Sequence, residues 1–133
     1  MTLVDTNVLV DIAADDPDWA GWSERALEAA AIEGPLAIND VVFAELSIGF
    51  DRLEDCEAFV SGLRLASLPV PRAALFLAGK VFRTYRRRGG PRTGVLPDFF
   101  IGAHAAVAGL ALLTRDAARY RGYFPTLRLI APG

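Results

Sequence analysis

Short apolar runs alternate along the chain with longer stretches in which apolar residues recur every three or four positions. Thr2-Leu3-Val4 is β-prone and is followed at once by Asp5-Thr6-Asn7, residue types that cap helices, which predicts a strand feeding a helix around Val8 to Ala14. Asp15-Asp16-Pro17-Asp18 marks a turn, after which Trp19, Trp22, Ala26, Ala29 and Ala30 keep helical spacing up to Gly34-Pro35. Leu36-Ala37-Ile38 predicts a second strand, Asn39-Asp40 the cap of a third helix through Gly49, and Asp55 to Ala66 a fourth helix. Leu68-Pro69-Val70-Pro71 suits a short edge strand, because proline cannot donate to a central ladder. Helical spacing returns from Arg72 to Arg88 through Leu75, Leu77, Ala78, Val81, Phe82 and Tyr85, and Gly89-Gly90-Pro91 ends it. Pro97-Asp98 opens a helix to about Gly109, Leu110 to Leu113 reads as a buried strand, Asp116 as the cap of a short helix, and Leu127 to Ile130 as a last strand.

Short apolar strands alternating with helices predict an α/β fold on a mostly parallel sheet. No repeat, low-complexity tract or linker interrupts the pattern, so residues 1–133 are expected to form one domain. A chain of this length buries roughly two-thirds of its unfolded surface without needing staples. The least polar stretch, Ile101 to Leu113, contains His104 and is shorter than the about 20 residues of a membrane helix, so no membrane partner is expected. Asp5 and Asp11 fall where a secretory signal would carry positive charge and an unbroken apolar run, and the lone Cys56 allows no intrachain disulfide. The expected setting is the reducing cytoplasm.

Charge adds what periodicity does not show. The net charge of −2 conceals two opposite halves, with acidic residues dominating up to Glu57 and only Asp98 and Asp116 acidic beyond it. Lone carboxylates in a basic half need a reason. Helix capping supplies one for Asp5, Asp98 and Asp116 taken singly, at roughly 1 kcal/mol each. Glu45 is different, since its neighbours one helical turn away are Val41, Val42, Ile48 and Gly49, and an ionised carboxylate rarely occupies an apolar face unpaired. A salt bridge to an arginine is the plain structural explanation for Glu45.

Topology supplies a joint reading. Ligands of open parallel sheets bind beyond the carboxyl ends of the strands where strand order reverses, and Asp5 and Asp116 each follow a strand. If the strands ending at Val4 and Leu113 are neighbours, Asp5, Glu45, Asp98 and Asp116 share one rim. Like charges so close raise one another's pKa unless a cation compensates, and oxygen ligands without histidine or cysteine favour Mg²⁺ or Mn²⁺. Such an ion activates water and offsets charge in phosphodiester hydrolysis. Asn7 and Thr114 are candidates for positioning a water or phosphate, although turn chemistry accounts for both equally well. His104 is read as a packed side chain, not a ligand.

Leu3-Val4-Asp5-Thr6-Asn7-Val8-Leu9, Val42 through Glu45-Leu46 to Gly49, Asp98 to Ala103, and Gly109 to Asp116 resemble, in order and spacing, the motifs of PIN-domain nucleases. The nearest likeness is to the VapC toxins of toxin–antitoxin pairs. That resemblance implies a three-layer fold with a central, mostly parallel sheet of about five strands flanked by helices. It implies a catalytic, Mg²⁺- or Mn²⁺-binding cluster of Asp5, Glu45, Asp98 and Asp116, cleavage of RNA, a homodimer, and inhibition by a VapB-type antitoxin. One departure is the pair Phe99-Phe100 after Asp98, where smaller residues are usual, which is expected to alter packing.

Arg86, Arg87, Arg88 and Arg92, with Lys80, Arg83 and Tyr85 before them and Gly89-Gly90 between them, form a basic segment suited to RNA phosphates. Its alternative is a solvated helix end whose cations complement the helix dipole. Two rival functions remain open at this level: a PIN domain serving RNA processing or decay, and a Mg²⁺-binding phosphoacceptor receiver. A receiver needs adjacent acids after its first strand and a lysine near its last, whereas here Asp5 stands alone and the one lysine is Lys80.

Overall fold

The structure, a computed structural model, describes residues 1–92 and 94–133. Among these, the elements in chain order are β1 (Thr2–Val4), α1 (Thr6–Ala13), α2 (Ala20–Glu33), β2 (Leu36–Asn39), α3 (Asp40–Ser47) and α4 (Leu53–Gly62). There follow β3 (Leu65–Leu68), α5 (Arg72–Arg87), α6 (Leu96–Ala108), β4 (Ala111–Leu113), α7 (Ala117–Arg121) and β5 (Leu129–Ile130). The strands form one parallel sheet in the order β3-β2-β1-β4-β5, flanked by the helices. Leu3, Val4, Leu112 and Leu113 are fully buried, which is why the central strands read as continuous apolar runs: both faces of a parallel sheet are covered.

The strand order locates the reversal. From β1 the chain steps to β2 and β3 on one side, then returns to place β4 and β5 on the other, so the crevice of the sheet opens at the carboxyl ends of β1 and β4. These strands pair Thr2 with Ala111, Leu3 with Leu112 and Val4 with Leu113, and the ladder continues one step as the Asp5 amide donates to the Leu113 carbonyl at 2.8 Å. Receiver domains have the order 2-1-3-4-5. The order found here removes that rival.

The expected boundaries hold within about two residues except in two places. The fourth helix stops at Gly62 instead of Ala66, because Arg64 takes a left-handed φ of 56° and Leu65–Leu68 leaves to pair with Leu36–Asn39. The edge strand therefore precedes the segment assigned to it, with Pro69 and Pro71 just beyond the ladder. The last strand shortens to Leu129–Ile130. Asp116 stands at the start of α7, yet its side chain makes no capping bond.

Gly102 in α6 sets the approach of the chain's last third. A Cβ there would lie 2.5 Å from the Phe124 ring and 3.0 Å from that of Tyr120, both buried. Gly102→Ala is expected to lower stability by about 1–3 kcal/mol, measured as a reduced urea midpoint. An unchanged midpoint would show that these rings relax freely.

Candidate active site

Asp5 is the N-cap of α1, fixed directly after β1, and only 3% exposed. Its Oδ1 accepts from the Thr6 amide at 2.7 Å. Its Oδ2 accepts from the Thr114 hydroxyl and the Tyr120 hydroxyl, each at 2.8 Å, with Asn7 Nδ2 farther off at 3.5 Å. Every one of these donors is neutral. Burial pushes the Asp5 carboxyl up to about 6, against the pull of its hydrogen bonds, and the nearby Asp98 adds to the rise.

Glu45 is half-buried on α3 and accepts from the Thr6 hydroxyl at 2.7 Å through Oε1. Among the described residues no arginine pairs with it, so the salt bridge considered from sequence is replaced by a neutral donor. Burial first, and Asp98 after it, raise its pKa. Asp98 lies in the first turn of α6, where the helix dipole favours a carboxylate. Its pKa is raised chiefly by burial and by Asp116, while the Arg119 guanidinium opposes both. Arg119 Nη1 binds Asp98 Oδ2, and its Nε lies 4.0 Å from Asp116 Oδ2.

The rim therefore gathers the acids without fully converging them. As the side chains stand, no group of three or more His, Cys, Asp or Glu among the described residues is placed to hold one ion. The donor chemistry nevertheless fits a hard cation, since all the candidate ligands are carboxylate oxygens, Asp5 and Glu45 have only neutral partners, and the acids raise one another's pKa.

Thr114, a candidate for positioning phosphate, is fully buried and cannot reach one. Its hydroxyl donates to Asp5 and accepts from the Asp116 amide at 3.0 Å, coupling the ends of β1 and β4. Asn7 is similarly occupied, accepting from the Arg115 amide at 3.2 Å. His104 is buried beside Asn39, whose Oδ1 already accepts from the Val42 amide, so Asn39 Nδ2 donates to His104 Nδ1 at 3.1 Å. Burial lowers the His104 pKa, keeping a neutral ring in the core.

Sequence reasoning missed Tyr120 and the pair Asp11–Arg115. Asp11 is buried and takes the Arg115 Nε at 2.9 Å, Nη2 at 3.0 Å and the Ser23 hydroxyl at 2.9 Å, while Arg115 also lies over the Trp19 ring. This fork ties α1 to the turn after β4. A signal existed, since Asp11 falls one helical turn after the apolar Val8, and both are buried on α1.

Arg86, Arg87, Arg88 and Arg92 are all exposed. Arg86 closes its loop by donating to the Gly90 carbonyl at 2.8 Å, and Arg88 lies over the Tyr123 ring. The two glycines shape this turn instead of loosening it: Gly89 takes a φ of 87°, and Gly90 lies flat against the Tyr85 ring. Tyr85 and Tyr123 both pack on Phe99, at 5.5 and 5.2 Å between centroids, so the aromatic after Asp98 joins the basic end of α5 to the acidic rim.

A parallel sheet with carboxylates at its β1–β4 crevice defines the class, and the PIN domain family model matches residues 2–124. The chain belongs to the PIN domain family. Among solved structures, it matches a chain of VapBC2 from Rickettsia felis bound to a promoter DNA fragment with a TM-score of 0.76 and 22% identity, covering 99% of this chain and 98% of that one. DNA-bound VapBC from Salmonella typhimurium gives 0.72 and 24%, covering 98% and 96%. VapBC-1 from nontypeable Haemophilus influenzae gives 0.73 and 18%, with the same coverage. At such identities the likeness shows the fold. Comparison with curated proteins finds no match.

The raised carboxyl of Asp5 has a consequence for stability. An exposed aspartate loses its proton near pH 4, whereas folded Asp5 keeps it to about 6, so the folded state binds the extra proton in that window. Stability from this group is full at the acid end and is lost as pH rises through about 6, a cost on the order of 2–3 kcal/mol. Asp5→Asn is expected to raise the melting temperature at pH 8 in chelator and to change it little at pH 4.5. A lower melting temperature at pH 8 would contradict this.

Proposed function

We propose that the protein is a metal-dependent endoribonuclease of the VapC type, with Asp5, Glu45, Asp98 and Asp116 as its catalytic and metal-holding residues. The observation that carries the reading is Asp5: a buried carboxylate at the β1–β4 crevice of a PIN fold, held by neutral donors alone and facing further acids. A divalent ion, Mg²⁺ or Mn²⁺, would supply an activated water and offset charge on the phosphodiester. Asp5 is oriented for that role by Thr114 and Tyr120 on Oδ2, which leave Oδ1 with a single hydrogen bond. Thr6 orients Glu45 in turn.

RNA is the proposed substrate because the arginines at the end of α5 adjoin this rim through the Tyr85, Tyr123 and Phe99 rings. The toxin role and a VapB-type antitoxin partner are supported by the fold shared with VapBC complexes; a homodimer is proposed from the family resemblance alone. No helix among the described residues is long and apolar enough to cross a membrane.

The purified protein, free of inhibitor, is expected to cleave RNA with Mg²⁺ or Mn²⁺ and not in chelator. Asp5→Asn or Asp98→Asn should cut the rate by about 10²-fold or more while the circular dichroism spectrum is retained. Absence of cleavage by the wild type sinks the enzyme reading. Replacing Arg86, Arg87 and Arg88 together by glutamine should weaken RNA binding at low salt and reduce the slope of log affinity against log salt by about 2. Unaltered affinity would assign those charges to structure.

A further inference from the structure

We propose that Arg119 is a displaceable counter-ion of the acidic rim, which holds Asp98 and Asp116 together until a divalent ion enters and expels it. The inference rests on the metal-binding reading above and concerns how that site is loaded.

Arg119 projects from the short α7 and joins two acids distant in sequence, binding Asp98 through Nη1 and approaching Asp116 through Nε. Among the described residues it is the only cation in salt-bridge contact with any of the four proposed ligands. Its side chain is 39% exposed, so the guanidinium can turn out to water at small cost, unlike the clamped Arg115. An ion held through Asp98 Oδ2 would need the oxygen that Arg119 Nη1 now engages, and a divalent charge repels a guanidinium beside it. Ion and arginine therefore compete for Asp98. The competition is consistent with acids that gather without converging, since Asp98 Oδ2 is engaged by Arg119.

The consequence is a competition in cis. Metal must break the Arg119 pairs, so the wild type binds metal more weakly than its free carboxylates would, by the fraction of molecules in which Arg119 is released. For a partly exposed pair this is roughly 2–5-fold. Conversely, without metal Arg119 relieves the repulsion that Asp98 feels from Asp116.

The test uses the full chain, ¹⁵N-labelled, with the Arg119 Nε–Hε resonance assigned by its loss in Arg119→Gln. Titration with Mg²⁺ is expected to move that resonance to the position of a free guanidinium. Mn²⁺ binding followed by electron paramagnetic resonance should be roughly 2–5-fold tighter in Arg119→Gln. The variant should also melt lower than wild type in chelator, with the gap closing in saturating Mg²⁺. Metal bound with the Arg119 resonance unmoved, or equal affinities in the two proteins, overturns the proposal while the metal site stands. No ion bound by either protein overturns both.

Discussion

The constraint on which the rest of this structure depends is the burial of an aspartate at the junction of β1 and β4. Desolvation of Asp5 works against its charge, and three well-placed donors answer it: the Thr6 amide, the Thr114 hydroxyl and the Tyr120 hydroxyl. Each donor imposes a condition elsewhere. Thr6 must open a helix directly after β1, and Thr114 must follow β4 in register with Val4. Tyr120 must reach under α6, which the missing side chain of Gly102 permits. The fork of Arg115 on Asp11 then fixes the turn after β4 against α1, so the two strand ends cannot slide apart. Features that look separate in the chain thus converge on one carboxylate.

What the sequence made legible follows from the range of the interactions involved. The strand at Thr2–Val4, the helix from Arg72 and the strand before Asp116 rest on local apolar patterning and on turn residues, and these were readable. The switch between β1 and β4 was readable as a condition, because aspartates follow two apolar runs that a parallel sheet can bring together. β3 was not: the only break between helix and strand is the left-handed Arg64, and a non-glycine residue announces no such turn. Tyr120 stayed hidden for a related reason. A buried tyrosine reads as core, and its hydroxyl acquires a role only through a partner more than a hundred residues away.

The charge polarity of the chain changes meaning once these contacts are known. Two arginines of the basic half, Arg115 and Arg119, are engaged with Asp11, Asp98 and Asp116, and so are not part of a surface for phosphate. What remains free is concentrated on α5 and the turn after it, from Arg83 to Arg92, on the side joined to Asp98 by an aromatic bridge. Phe99 serves two ends at once, packing that bridge and placing Asp98 at the first turn of α6. The bulky residue directly after Asp98 is thus a matter of packing, consistent with an acid whose position is set by backbone.

An acidic rim must also survive without an ion, and the structure meets that demand in two ways divided by burial. At Asp5 a guanidinium would itself have to be desolvated, and the repayment demands near-ideal geometry; fixed neutral dipoles avoid that cost, and they are what the fold supplies. At Asp98 and Asp116, nearer to solvent, an arginine loses little hydration and can leave again. Neutral donors orient the Asp5 carboxylate without ion-pairing it. The outer acids are instead ion-paired with Arg119. Depth in the crevice therefore sorts the four carboxylates into two with neutral partners, Asp5 and Glu45, and two held by arginine, Asp98 and Asp116, and the proposed loading by exchange applies to the second pair alone.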